Sequence, residues 1–61
     1  MYIIQRTKTY ANGQTDVSYF KSYHLFIEFC GTPDEAMKFD SMKEAKTFAR
    51  ALGKGCKVIK V

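Results

Sequence analysis

Residues 36–61, AMKFDSMKEAKTFARALGKGCKVIKV, constrain the fold more than any other stretch, because they spell a strand end, a capped helix, a glycine stop and a final strand. Ser41 followed three residues later by Glu44 is a capping box, in which each side chain satisfies a backbone N–H that the helix start would otherwise leave orphaned. Met42, Ala45, Phe48, Ala49 and Leu52 recur at spacings of three and four, which places them on one apolar stripe. Lys43, Lys46, Thr47, Arg50 and Lys54 then fall on the opposite side. Gly53 ends the helix, and Cys56–Val61, with Val58, Ile59 and Val61, is short enough to be a strand.

The first half reads as strands. Met1–Tyr10 is rich in β-branched and aromatic residues and stops at Asn12-Gly13, the pair that supplies the positive φ angles of a type I′ hairpin turn. A returning arm begins near Thr15. The stretch from Val17 to Cys30 is longer than the usual strand of about 5–6 residues, so it is expected to bend or break around Lys21-Ser22, the only polar pair inside it. Gly31-Thr32-Pro33-Asp34 is a turn cluster, and a short extended segment from Ala36 to Asp40 leads to the helix. The predicted fold is therefore α+β: an antiparallel meander packed on one helix in two layers, with the C-terminal strand returning to the sheet. Pairing of that last strand with the first is expected, since it would close one sheet edge. The rest of the strand order is open.

A chain of 61 residues makes one domain, and a domain of that size buries only about 60% of the surface its unfolded chain exposes. Its core is marginal, and small domains draw extra stability from disulfides, a metal or a partner subunit. The two cysteines, Cys30 and Cys56, with no apolar signal segment after Met1, point to reduced thiols in a cytoplasmic setting. No apolar run approaches the ~18 residues of a membrane span, so a soluble protein without membrane partners is expected. A hydrophobic fraction of 46% excludes a disordered tail. The charge is uneven: from Lys38 onward Lys38, Lys43, Lys46, Arg50, Lys54, Lys57 and Lys60 face only Asp40 and Glu44.

Unbroken alternation would put Tyr19, Tyr23, Leu25, Ile27 and Phe29 on the core face, and Phe20, Ser22, His24, Phe26, Glu28 and Cys30 behind it. A single helix about 18 Å long covers one side of a sheet. Phe20 and Phe26, with His24 between them, would then form an exposed contact face, of the kind that marks an interaction site or a homodimer interface. The alternative is a break near Ser22 that turns Phe20 inward and leaves only Phe26.

The residues offer no catalytic set. His24 is the only histidine and has no neighbouring nucleophile signature. His24, Cys30 and Cys56 are three ligand types, yet there is no CxxC and no second histidine, so no metal and no cofactor is expected. Gly53-Lys54-Gly55 follows a helix instead of preceding one, so it lies at the negative end of the helix dipole and reads as cap and connector, not as a phosphate loop. The stripe Lys43, Lys46, Arg50, Lys54 sets like charges at i and i+4, which costs a few tenths of a kcal/mol. An acidic protein surface, a nucleic acid or solvent alone would each fit it.

The opening Met1-Tyr2-Ile3-Ile4, the series Ala36, Phe39, Ser41, Glu44, Ala45, Ala49 and the closing Lys57-Val58-Ile59-Lys60-Val61 together resemble a loose group of small phage and prophage accessory proteins, with an MY-hydrophobic start, a capped helix and a KVxKV strand. The similarity covers both ends and not the middle. It implies a setting inside a bacterial host cell and a way of working: binding and disabling a host protein, including components of antiviral defence, in an anti-CRISPR-like manner. Together these readings predict a non-enzymatic module, homodimeric, that binds a host protein through Phe20, His24 and Phe26 and through Lys43, Lys46, Arg50 and Lys54. The alternative is a small basic nucleic-acid-binding accessory protein that uses the same stripe on phosphates.

Overall fold

Ile3 and Ile4 are consecutive on the first strand, so their side chains leave opposite faces of the sheet, and both are almost completely buried. The sheet must be covered on both sides at that point. In the computed structural model, which describes residues 1–23 and 25–61, β1 (Tyr2–Thr9), β2 (Thr15–Tyr23), β3 (Ile27–Cys30) and β4 (Cys56–Lys60) form one antiparallel sheet in the order β3-β2-β1-β4. One helix, α1 (Met42–Leu52), packs against it. The expected α+β class is what the chain adopts. Pairing of the last strand with the first is also present, from Tyr2 opposite Lys60 to Arg6 opposite Cys56, and the Val61 amide adds a hydrogen bond to the Met1 carbonyl at 2.9 Å.

On the helix side, Ile4, Phe20, Phe39, Ala45 and Ala49 form the main core, with Phe29, Phe48, Leu52 and Val58 packed around them. Phe20 is central. Its ring lies 5.8 Å from that of Phe48 and 6.2 Å from those of Phe29 and Phe39. On the other side, Ile3, Cys30 and Ala36 make a second small core with Tyr19 and Ile59 against it. The cover there is the segment after β3, which includes a single 3-10 turn at Pro33–Glu35. This segment is anchored by backbone. The Met37 amide donates to the Phe20 carbonyl at 2.9 Å, and Tyr2 and Phe39 exchange hydrogen bonds of 2.8 and 2.7 Å. It thus fills the place beside Tyr2 that β2 leaves vacant, since β1–β2 pairing starts at Gln5 opposite Tyr19. Only the bridge at Phe39 is strand-like in the expected Ala36–Asp40 extension.

Phe20, expected on an uncovered face as a partner contact, is therefore a core residue with no exposed surface. Alternation was applied to residues 17–30 as one strand, but they form two. The chain reverses between Tyr23 and Ile27, which sets Phe29 directly opposite Phe20, and the register shifts by one residue between Phe20 and Ser22. That bulge falls at the polar pair where a break was expected. It lets both Phe20 and Tyr23 reach the Phe48 ring. The expected core face is corrected with it: Tyr23, Leu25 and Ile27 are exposed.

Local signals explain the remaining joins. The Ser41 side chain accepts from the Glu44 amide at 3.4 Å, which is one half of the capping box. Met42, at the first helical position, stays exposed instead of joining the apolar stripe. The β1–β2 turn departs from the type I′ expectation, because only Gly13 has a positive φ. The Gly13 amide donates to the Tyr10 carbonyl and the Asn12 side chain accepts from the Gln14 amide, the pattern of a three-residue loop closed by glycine. After α1, Gly53 turns the chain at a φ of 108° and Gly55 at 86°. A Cβ on Gly55 would lie 2.7 Å from the Thr7 carbonyl oxygen, so the connector can lie against β1 only without a side chain there.

Two stability predictions follow from this packing. Gly55→Ala combines left-handed backbone strain of about 1–2 kcal/mol with the Thr7 collision, so it is expected to lower stability in urea unfolding by ~2 kcal/mol or more. Gly31→Ala, which meets nothing within 4 Å, is the control and should stay within about 0.5 kcal/mol. Phe20→Ala should cost about 3–5 kcal/mol, against a total of about 3–9 kcal/mol for a domain of this length. Thermal unfolding followed by circular dichroism should therefore show that variant with a strongly lowered midpoint, while Phe26→Ala keeps the native spectrum and midpoint.

Candidate binding surfaces

Met1, Tyr10, Val17, Met37, Met42 and Val61 are exposed singly over the surface, whereas at the β2–β3 end of the sheet exposed apolar side chains are concentrated. Tyr23, Leu25, Phe26 and Ile27 are 66%, 86%, 65% and 45% exposed, within five residues of chain. Local geometry accounts for the concentration: α1 lies over β4 and β1, and only Phe48 reaches across to Tyr23, ring centroids 6.5 Å apart and edge to face. Next to the tip, the half-buried Phe29 has its ring capped by the Arg6 guanidinium at 4.9 Å, a cation–π contact that shields it from water. Among the described residues nothing comparable covers Leu25 or Phe26. Of the three residues expected to meet a partner through the sheet, Phe26 is thus exposed, Phe20 is buried, and His24 lies outside the described residues. Tyr23, Leu25 and Ile27 were missed because an unbroken strand would have turned them into the core. The signal that could have found them was length, since a run from Val17 to Cys30 has room for two strands and a turn, and the turn must expose its side chains.

The second surface is cationic. Lys43, Lys46 and Arg50 are exposed along α1 and line a groove with Met42 and Thr47. A second groove, between α1 and β4, is lined by Lys46, Ala49, Arg50, Gly53, Cys56, Lys57 and Val58. The two share Lys46 and Arg50, so they form one continuous track, and no carboxylate lines either. Lys54, the fourth residue of the expected stripe, sits in the connector beyond the helix end and lines neither groove. Lys57 borders the second groove only through its place on β4, because alternation sends its side chain to the opposite face from Cys56 and Val58, with Gln5 and Ile59.

Of the two thiols, only Cys56 lines one of these grooves. Cys30 is buried at one sheet edge, where its Sγ donates to the Thr32 carbonyl at 3.1 Å. Cys56 is half-buried on the strand at the other edge, opposite Arg6. Burial pushes the Cys56 thiol up, and the Arg6 guanidinium pulls it back only in part. A thiol held neutral is a weak nucleophile. With the two cysteines on opposite edges of a four-stranded sheet, they can neither bridge each other nor share one metal ion. Among the described residues no helix is long and apolar enough to cross a membrane.

No family model, curated protein or solved structure matches this chain.

Proposed function

We propose that this protein is a non-enzymatic binding module of the phage accessory type, which attaches to a host protein through the β2–β3 tip and so blocks a surface which that protein needs. The observation that carries the reading is the exposure of Tyr23, Leu25, Phe26 and Ile27 on a domain whose other large apolar side chains are mostly packed in two small cores. An aromatic and aliphatic cluster rooted in the core through Tyr23 and Phe48 is the composition of an interface hot spot. Burying one such side chain in a partner contributes about 1.5–3 kcal/mol. Four of them on one projecting turn suffice for a specific contact without help from catalysis. The homodimer expected from the sequence would use this same tip, because Phe20 is no longer available on the sheet and the cationic helix faces of two copies repel each other.

The test is a tagged pull-down from the bacterial host with mass spectrometry, run beside a phage-plating assay on cells that carry antiviral defence. The wild-type chain should retain a discrete host protein and raise plating efficiency. Leu25→Asp with Phe26→Asp should keep the native circular dichroism spectrum and lose both, since a central hot spot is worth ~2 kcal/mol or more, about 30-fold in Kd. Capture and plating that survive the double substitution would sink the tip as the contact. Light scattering of the purified chain checks the dimer: a strict monomer at high concentration removes that part.

A further inference from the structure

We infer that the two edges of the sheet, β3 and β4, are complementary halves of one self-association surface, so that β3 of one copy takes β4 of a second copy as an added antiparallel strand. This goes beyond the host-binding tip, since it uses the outer edge of β3 and not the side chains of the turn before it.

β3 and β4 are the outermost strands of the sheet. Among the described residues no further backbone hydrogen bond reaches either of them. Those at the two ends of β4, from the Thr7 amide to the Gly55 carbonyl and from the Val61 amide to the Met1 carbonyl, run to the β1 side. Each outer edge therefore presents a row of unpaired N–H and C=O groups, a template for another strand. Charge on an edge strand commonly serves only to prevent such pairing, but the two edges here differ in sign. β3 carries Glu28 as its one charged residue, whereas β4 carries Lys57 and Lys60.

Glu28 and Lys57 lie on the same face. Phe29 stands opposite Phe20 on the helix side and Cys30 packs with Ile3 on the back, so alternation puts Glu28 on the back. Lys57, between Cys56 and Val58 of the helix-side core, is on the back as well. Both side chains are exposed. Pairing like edge with like about a two-fold axis sets Glu28 beside Glu28, or Lys57 beside Lys57, on that face, and neighbouring like charges are destabilising. Pairing β3 with β4 sets acid against base.

Strand direction agrees. In a sheet of four antiparallel strands the two edge strands run in opposite directions. A second copy laid beside the first in the same orientation thus brings its β4 antiparallel to β3, with the helix sides together. When Glu28 is opposite Lys57 of that copy, Ile27 is opposite Val58 and Phe29 opposite Cys56, so one register matches all three pairs. The second copy's helix, which lies over its own β4, then arrives on the side of β3 where Ile27 is 45% exposed. Such a contact is head-to-tail. It leaves β4 free at one end and β3 free at the other, so it grows with concentration instead of closing as a dimer.

Sedimentation velocity from ~10 μM to ~1 mM, a range that spans weak contacts, tests this. The wild-type mass should rise steadily past that of a dimer. Glu28→Lys and Lys57→Glu, each alone, should weaken association about tenfold while circular dichroism stays native, since both positions are exposed. Lys57→Glu lowers the net positive charge, which by itself would favour association, so a loss in both variants does not come from net charge. Mixing the two variants should restore assembly in alternating order, because every junction again sets a carboxylate against an ammonium group. Lys43→Glu, on the helix, is the control and should assemble as the wild type does. Leu25→Asp with Phe26→Asp should also assemble while losing the host protein, which separates this contact from the tip. Four results would overturn the inference: a strict monomer at ~1 mM, a dimer that grows no further, a mixture that associates no better than either variant alone, or assembly abolished by the tip substitutions and kept by Glu28→Lys.

Discussion

The contact on which the rest of the structure depends is the packing of the Phe20 ring among Phe29, Phe39 and Phe48. Those four rings come from β2, β3, the segment before the helix and α1, so one cluster joins four parts of the chain. Ring pairs at 5.3 to 6.2 Å, as found between Phe39, Phe48, Phe20 and Phe29, add about 0.5–1.5 kcal/mol each beyond the area they bury. In a 61-residue domain that is a substantial fraction of the whole stability. It also explains the bulge at Lys21. With one residue looped out, β2 can send Phe20 to the centre of the cluster and still aim Tyr23 at its rim.

Placing the helix over β1 and β4 has a consequence for the surface. The β3 end of the sheet is left with apolar side chains and no helix above them, while the β4 end carries the helix's outer flank and its cations. Apolar tip and cationic track are therefore at opposite edges of one sheet. The back of the sheet, by contrast, is not an open apolar face. Ala36 and the segment around it cover Ile3, and the remainder of that face, with Gln5, Thr7 and Lys57, is largely polar. A molecule this small cannot cover every apolar residue, and the position of its one helix decides which ones remain in water.

Much of the fold was legible in particular residues. Ser41 and Glu44 marked the helix start, Gly53 its end, and Lys21-Ser22 the irregularity in the second strand, because each of these is a local backbone requirement that a side chain meets or fails to meet within a few positions. The type I′ turn was a near miss of the same local kind: Asn12-Gly13 does make the turn, but with Ala11 included as a third loop residue and with glycine alone in the left-handed region. The site was less legible. Phe26 was placed correctly as exposed, but Phe20 was not, since the parity of a side chain in a strand is lost as soon as the chain reverses or bulges, and one uncounted residue inverts everything after it.

The sequence by itself determined the class of the fold, the bounds of the helix and its cationic outer side, since capping, amphipathic spacing and glycine stops act over three to eight residues. Only the tertiary structure decided which aromatic residues are core and which are surface, and that Lys54 lies outside the grooves that Lys46 and Arg50 line. Those outcomes depend on strand register and on the angle at which α1 crosses the sheet. Both are set by the collective fit of Phe20, Phe29, Phe39 and Phe48, which are up to 28 residues apart in the chain, and no local pattern records that fit.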